Sequence, residues 1–145
     1  MNKYKNGILV VSHGPLAASS ISSAEMIAGK MPEERLGTLM LNIGENIDSF
    51  YEKMNEATKY LLDKNEKVII LTDLLGGTPN NTALKIAIEN ERISVITGYN
   101  LMLLIEIFSN IDNELVIDEL VEFGKQSLLN VKSIALEEEE DEEWL

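Results

Sequence analysis

The chain contains no cysteine, only one histidine, His13, and only three prolines in 145 residues. Without cysteine there is no disulfide, no thiolate metal ligand and no thiol nucleophile. One histidine falls short of the several His or Cys ligands a zinc site needs, so no metal is expected. Basic residues are scarce too: 12 Lys and Arg stand against 25 Asp and Glu, a formal charge of −13. No basic stripe is available to neutralise phosphates, which argues against nucleic acid as a partner. Long apolar runs are also missing. Neither a membrane span nor a signal-peptide core is read, and the chain is expected to be soluble and cytoplasmic.

The negative charge is unevenly placed. The run Glu137 to Glu143 holds seven acids and no base, which leaves −6 for the remainder. A block of like charge reads as a solvated, disordered tail, so residues 1–136 are taken as one domain and 137–145 as an acidic extension. Trp144 lies at its end, and packing on the domain or on a partner both stay open. A length of 145 residues suits one domain burying about 70% of its unfolded surface.

Four strand-like runs, Ile8–Val11, Leu36–Leu41, Val68–Thr72 and Ile93–Thr97, alternate with stretches of helical periodicity. That alternation predicts βαβ units and an α/β fold: a single doubly wound, mainly parallel sheet of order 2-1-3-4 with flanking helices. The first helix is expected from Pro15 to about Gly29, with Leu16, Ile21, Ala24, Ile27, Ala28 and Met31 facing the sheet. The second spans Ile47 to Leu62, with apolar residues three and four apart. The third begins at Pro79 with Thr78 as N-cap and runs through Ala83, Leu84, Ala87 and Ile88. A fourth covers Leu101–Phe108, and a fifth carries Leu120, Val121, Gly124 and Leu128 on one face. Val131–Leu136 is expected to add a last, antiparallel strand.

Three loops at the carboxyl ends of strands carry the candidate chemistry: Ser12 to Pro15, Thr72 to Pro79, and Thr97 to Asn100. In a sheet of this order the first and third strands are neighbours about 4.8 Å apart, and the crevice at the topological switch opens between them. His13 and Asp73 are therefore expected to face each other. A carboxylate that accepts one imidazole N–H fixes the tautomer and leaves the other nitrogen as a nucleophile or base. Gly14, Gly76, Gly77 and Thr78 let backbone approach a ligand closely and aim N–H groups at it from a helix start, which suits a phosphoryl group. Taken singly, each has an ordinary reading: a polar loop histidine, a helix-capping aspartate, a glycine-rich turn. Their juxtaposition carries the functional reading. Leu74, Leu75, Tyr99 and Met102 are candidates for an apolar rim. No Walker loop, dinucleotide fingerprint or GxSxG elbow occurs, and no cofactor is expected.

Taken together, the apolar strand into His13-Gly14, the segment Ala24–Gly29, the Asn42–Asn46 stretch, the TDLLGGTPNNTA box and TGYNLMLLIE resemble the IIA domain of the mannose family of the bacterial phosphoenolpyruvate-dependent sugar phosphotransferase system (PTS). The resemblance runs from about Gly7 to Phe108. It implies that His13 is transiently phosphorylated, accepting the group from the phosphocarrier protein HPr and passing it to a IIB domain or subunit. It further implies that Asp73 bonds the imidazole and that Thr78, where the family usually has Ser, contacts the phosphoryl oxygens. The family usually has a proline just after the position of Asn100, where this chain reads Leu101-Met102. Membrane components IIC and IID, which recognise the sugar, are implied as indirect partners. A homodimer joined through the C-terminal strand is implied as well. Three alternatives stay open: the phosphotransfer subunit of a PTS-dependent dihydroxyacetone kinase, a regulatory phosphohistidine module acting through the acidic tail, and a tetrapyrrole chelatase.

Overall fold

Ile8, Leu9, Val10 and Val11 are all fully buried, because their strand is covered on both faces and paired on both edges. In a computed structural model, which describes residues 2–141, four strands form one wholly parallel sheet: β1 (Tyr4–His13), β2 (Leu36–Leu41), β3 (Asn65–Thr72) and β4 (Ile93–Thr97). Their order is β2-β1-β3-β4, as the alternation of elements predicts. Side chains alternate between two cores. Ile8, Val10, Ile69 and Leu71 pack beneath α1 (Leu16–Ala28), α4 (Leu101–Ser109) and α5 (Ile117–Lys125). Leu9, Val11, Val68 and Ile70 pack beneath α2 (Ile47–Lys64) and α3 (Thr78–Ile88). Each such side chain contributes about 2 kcal/mol of burial.

The strands β1 and β3 begin four and three residues before their apolar runs, because a polar lower end is paired as well. Arg35 is buried there; its guanidinium donates to Asn6 O (3.1 Å) and Ile111 O (2.9 Å), pairs with Asp112 and stacks on Tyr4. Asn6, also buried, donates to Ile111 O and Asn113 O, so the loop before α5 is fastened under the sheet.

Several helical details differ from the sequence reading. On α1 the buried residues are Ala17, Ile21 and Ala24, while Leu16 and Ile27 are exposed. Small residues let this helix lie close to the strands, and the face shifts to follow them. On α3 the N-cap is Gly77, with Thr78 the first helical residue, and Asn80, Thr82, Ala83 and Ile86 turn inward while Leu84 and Ile88 face solvent. Leu128 lies beyond the end of α5 and is exposed.

The antiparallel C-terminal strand is not formed. Residues Val131–Asp141 make a helix, α6, whose first turn is capped by Asn130 through its side-chain oxygen and Ser133 N. The segment Ala135-Leu136-Glu137-Glu138 consists of strong helix formers, which outweigh the β-branched Val131 and Ile134. The boundary expected at 136 falls inside α6, and acidic residues through 141 continue it. Trp144 lies outside the described residues. No helix among the described residues is long and apolar enough to cross a membrane.

Candidate active site

The ladder between β1 and β3 ends at Val11 with Thr72, yet β1 continues to His13, which pairs with Leu41 of β2. His13 therefore projects past the end of β3, at the switch point of the sheet. Asp73, the first residue after β3, turns under it. One carboxylate oxygen, Oδ2, accepts both the His13 backbone N–H and the ring Nδ1, each at 2.8 Å. The other, Oδ1, accepts Leu74 N at 3.0 Å. The Asp73 side chain is only 7% exposed, against 47% for the imidazole.

Burial of Asp73 opposes its ionisation, but the hydrogen bonds from the His13 backbone and ring, together with the ring's charge, outweigh it and hold the carboxyl below its ordinary value. An ionised carboxylate can only accept, so Nδ1 is the donor, and in the neutral ring the lone pair is on Nε2. The sequence expectation that His13 and Asp73 meet is realised in this geometry.

The glycines divide into two kinds. Gly14 (φ 56°) and Gly76 (φ 81°) occupy the left-handed region, which a side chain would strain. Gly77 has ordinary extended backbone, but a Cβ there would lie 2.9 Å from His13 Cε1 and 3.5 Å from Nε2. Its hydrogen is what allows the imidazole to sit against the start of α3. Thr78 shares one groove of about 500 Å³ with His13, Gly14, Met40, Ile43 and Ile47.

One wall of that groove is contributed by the end of β2 and the loop 42–46, which residue chemistry alone does not mark as part of the site. The signal available was Asn42-Ile43-Gly44-Glu45, a compact turn. Glu45 accepts Asn42 N (3.0 Å), Asn42 Nδ2 and Lys53 Nζ (2.9 Å), bonds that lower its pKa and hold the fully exposed Ile43 beside the histidine.

The rim is only partly as expected. Leu74 and Leu75 are exposed beside Asp73, whereas Met102 lines a separate groove with Phe123 and Leu129. Tyr99 packs on the α1 and α4 core, its hydroxyl 3.0 Å from Ser20 Oγ. Burial raises its pKa; the Ser20 bond opposes that, and the Asp73 charge adds to it. Asn100 caps α4 through Leu103 N and donates to Gly124 O and Ser127 Oγ, so the third loop is occupied with holding α4 to α5. Among the described residues no group of three or more acidic or histidine side chains is placed to hold a metal ion.

Comparison with known proteins agrees with this architecture. A family model described as "PTS system fructose IIA component" matches residues 7–124. The mannose-specific EIIAB component of Escherichia coli K12 is 33% identical over 134 residues, covering 90% of this chain and 41% of its own length. The chain thus spans about two fifths of that relative. The fructose-specific EIIA component of Bacillus subtilis is 32% identical, over 70% of this chain and 68% of its own. Among solved structures, the PTS IIA protein associated with the fucose utilization operon of Streptococcus pneumoniae superposes with a TM-score of 0.89 at 40% identity, covering 93% of this chain and 99% of its own. The chain belongs to the PTS fructose IIA component family, a family of phosphotransferases.

Proposed function

We propose that this chain is a phosphocarrier of sugar uptake, taking a phosphoryl group from phosphorylated HPr on His13 Nε2 and delivering it to a histidine of a IIB domain. The observation that carries the reading is the 2.8 Å bond from Nδ1 to Asp73, which leaves Nε2 as the one free ring nitrogen, in a groove shared with Thr78. In the step, the Nε2 lone pair forms a bond to phosphorus while the bond from phosphorus to the donor histidine nitrogen breaks, its electron pair returning to that nitrogen. The Nδ1 proton stays on His13, and the Asp73 carboxylate stabilises the imidazolium character that results. Little covalent machinery is needed beyond in-line alignment and donors for the equatorial oxygens. Thr78 Oγ1 and the N–H groups around Gly76 and Gly77 serve as those donors, while Gly14, whose own N–H is taken by Leu41 O, leaves the approach to Nε2 open. Release to IIB reverses the same displacement.

In this reading the unit works in the cytoplasm, with IIC and IID as indirect partners, and residues up to 136 form the phosphotransfer domain ahead of an acidic extension. A homodimer is part of the proposal. The mannose, fructose and sorbose specificities named for its relatives favour sugar uptake over the dihydroxyacetone-kinase role. Incubation with phosphoenolpyruvate, enzyme I and HPr is expected to add one acid-labile phosphoryl group, and His13→Ala to accept none. An acid-stable adduct, or no adduct on the wild type, would overturn the proposal.

A further inference from the structure

Ser12 is fully buried at the end of the row Ile8, Val10, Ser12 on the α1 side of β1, where the alternation calls for an apolar residue. Its hydroxyl makes two bonds. It accepts Ala17 N at 2.8 Å, one of the first-turn N–H groups of α1 that Pro15 cannot cap, and it donates to Gly14 O at 2.9 Å. The residue on either side of His13 is thereby tied to the same helix start. Gly14 is also held from the other side, its N–H donating to Leu41 O at 2.9 Å.

The bond to Asp73 fixes how the imidazole is rotated, but the origin and direction of the ring are set by backbone lying beyond the last rung that β1 shares with β3. Gly14, at φ 56° with nothing packed against the position of a Cβ, has conformational freedom that these bonds restrict, beside the pairing of His13 with Leu41 and its N–H bond to Asp73. We infer that Ser12 is a positioning residue: its buried hydroxyl locks the backbone that carries His13, and so keeps Nδ1 on Asp73 and Nε2 aimed at the groove. Ser12 faces away from that groove and acts only through its neighbour. The inference rests on the proposed phosphocarrier role for its rate prediction, and on geometry alone for its prediction about the ring.

The test compares wild type with Ser12→Ala and Ser12→Thr, using long-range ¹H–¹⁵N spectra of the unphosphorylated His13 ring and single-turnover transfer from phosphorylated HPr. Wild type is expected to show one tautomer, protonated at Nδ1. In Ser12→Ala the two ring nitrogens shift towards averaged values, and transfer slows about tenfold or more at saturating donor, with the half-saturating donor concentration unchanged. Ser12→Thr, which keeps the hydroxyl, restores both readouts. If the alanine variant does not fold, Ser12→Cys, close in size with a weaker donor and acceptor, is expected to give an intermediate shift. A Ser12→Ala spectrum and rate matching wild type, or a rate loss that only tracks the unfolded fraction, overturns the inference. Should wild type accept no phosphoryl group, the phosphocarrier reading falls while the ring spectra still decide the role of Ser12.

Discussion

Gly77→Ala separates function from folding at one atom. The backbone at Gly77 (φ −79°, ψ 167°) is one that alanine adopts without strain, and replacing glycine there removes freedom from the unfolded chain. On that account alone the variant gains about 0.4–1 kcal/mol and its Tm rises by about 1–3 °C. The added Cβ, however, lies 2.9 Å from His13 Cε1, where carbon atoms need about 3.5–4.0 Å. The flexible tip of Leu74, 3.4 Å away, can yield; the imidazole must yield too, by about 0.6–1 Å. Such a shift stretches the 2.8 Å bond to Asp73 past the useful range, at a cost of about 1–2 kcal/mol for a half-exposed ring, and crowds Nε2 on its reacting side. Transfer is expected to slow about a hundredfold. Rapid-quench measurement of transfer from phosphorylated HPr, with a thermal melt of the same sample, checks both halves. Transfer within twofold of wild type, or a Tm lowered by more than about 5 °C, would refute the reasoning.

Asp73→Asn leaves one acceptor oxygen where three N–H groups are now served, and transfer is expected to fall at least about a hundredfold by the same assay. Because the folded pKa of Asp73 is depressed, the stability it contributes is present above the ordinary carboxylate value of 3.8 and lost as pH falls through the lower folded value. Melts between about pH 5 and 2 should therefore show an acid-labile component below about pH 4 that Asp73→Asn lacks. Arg35→Ala removes the donor to Asn6 O and one of the two donors to Ile111 O and empties a buried site, for a loss of about 2–3 kcal/mol and a Tm lowered by about 4–12 °C. Since Arg35 sits at the opposite end of the sheet, the folded variant is expected to keep its transfer rate at 25 °C, as a melt and a rate measurement on one preparation would show.

The strand order and the meeting of His13 with Asp73 were legible because each rests on a local signal with a strong rule behind it. Four strand-like runs separated by helical spacing leave few topologies, and an aspartate directly after the strand adjoining that of His13 has little choice of direction. The faces of α1 and α3 were less legible, since alanine, threonine and asparagine there are buried for closeness to the strands rather than for hydrophobicity, and the leucine and isoleucine beside them are left outside. The wall formed by Met40, Ile43 and Ile47 depends on where β2 ends relative to β1, a register that periodicity does not give. In the C-terminal segment Val131 and Ile134 suggest a strand, but the helix formers that follow them favour a helix, which satisfies its own backbone.

A single free nitrogen at the lip of one groove has a kinetic consequence. In the proposed role, donor and acceptor proteins must occupy the same face in turn, so no ternary complex forms and the carrier shuttles between two half-reactions. Steady-state plots against donor concentration at several acceptor concentrations then run parallel. Excess unphosphorylated acceptor competes with the donor for the empty carrier, so flux through the pair passes through a maximum and falls when the acceptor is in surplus.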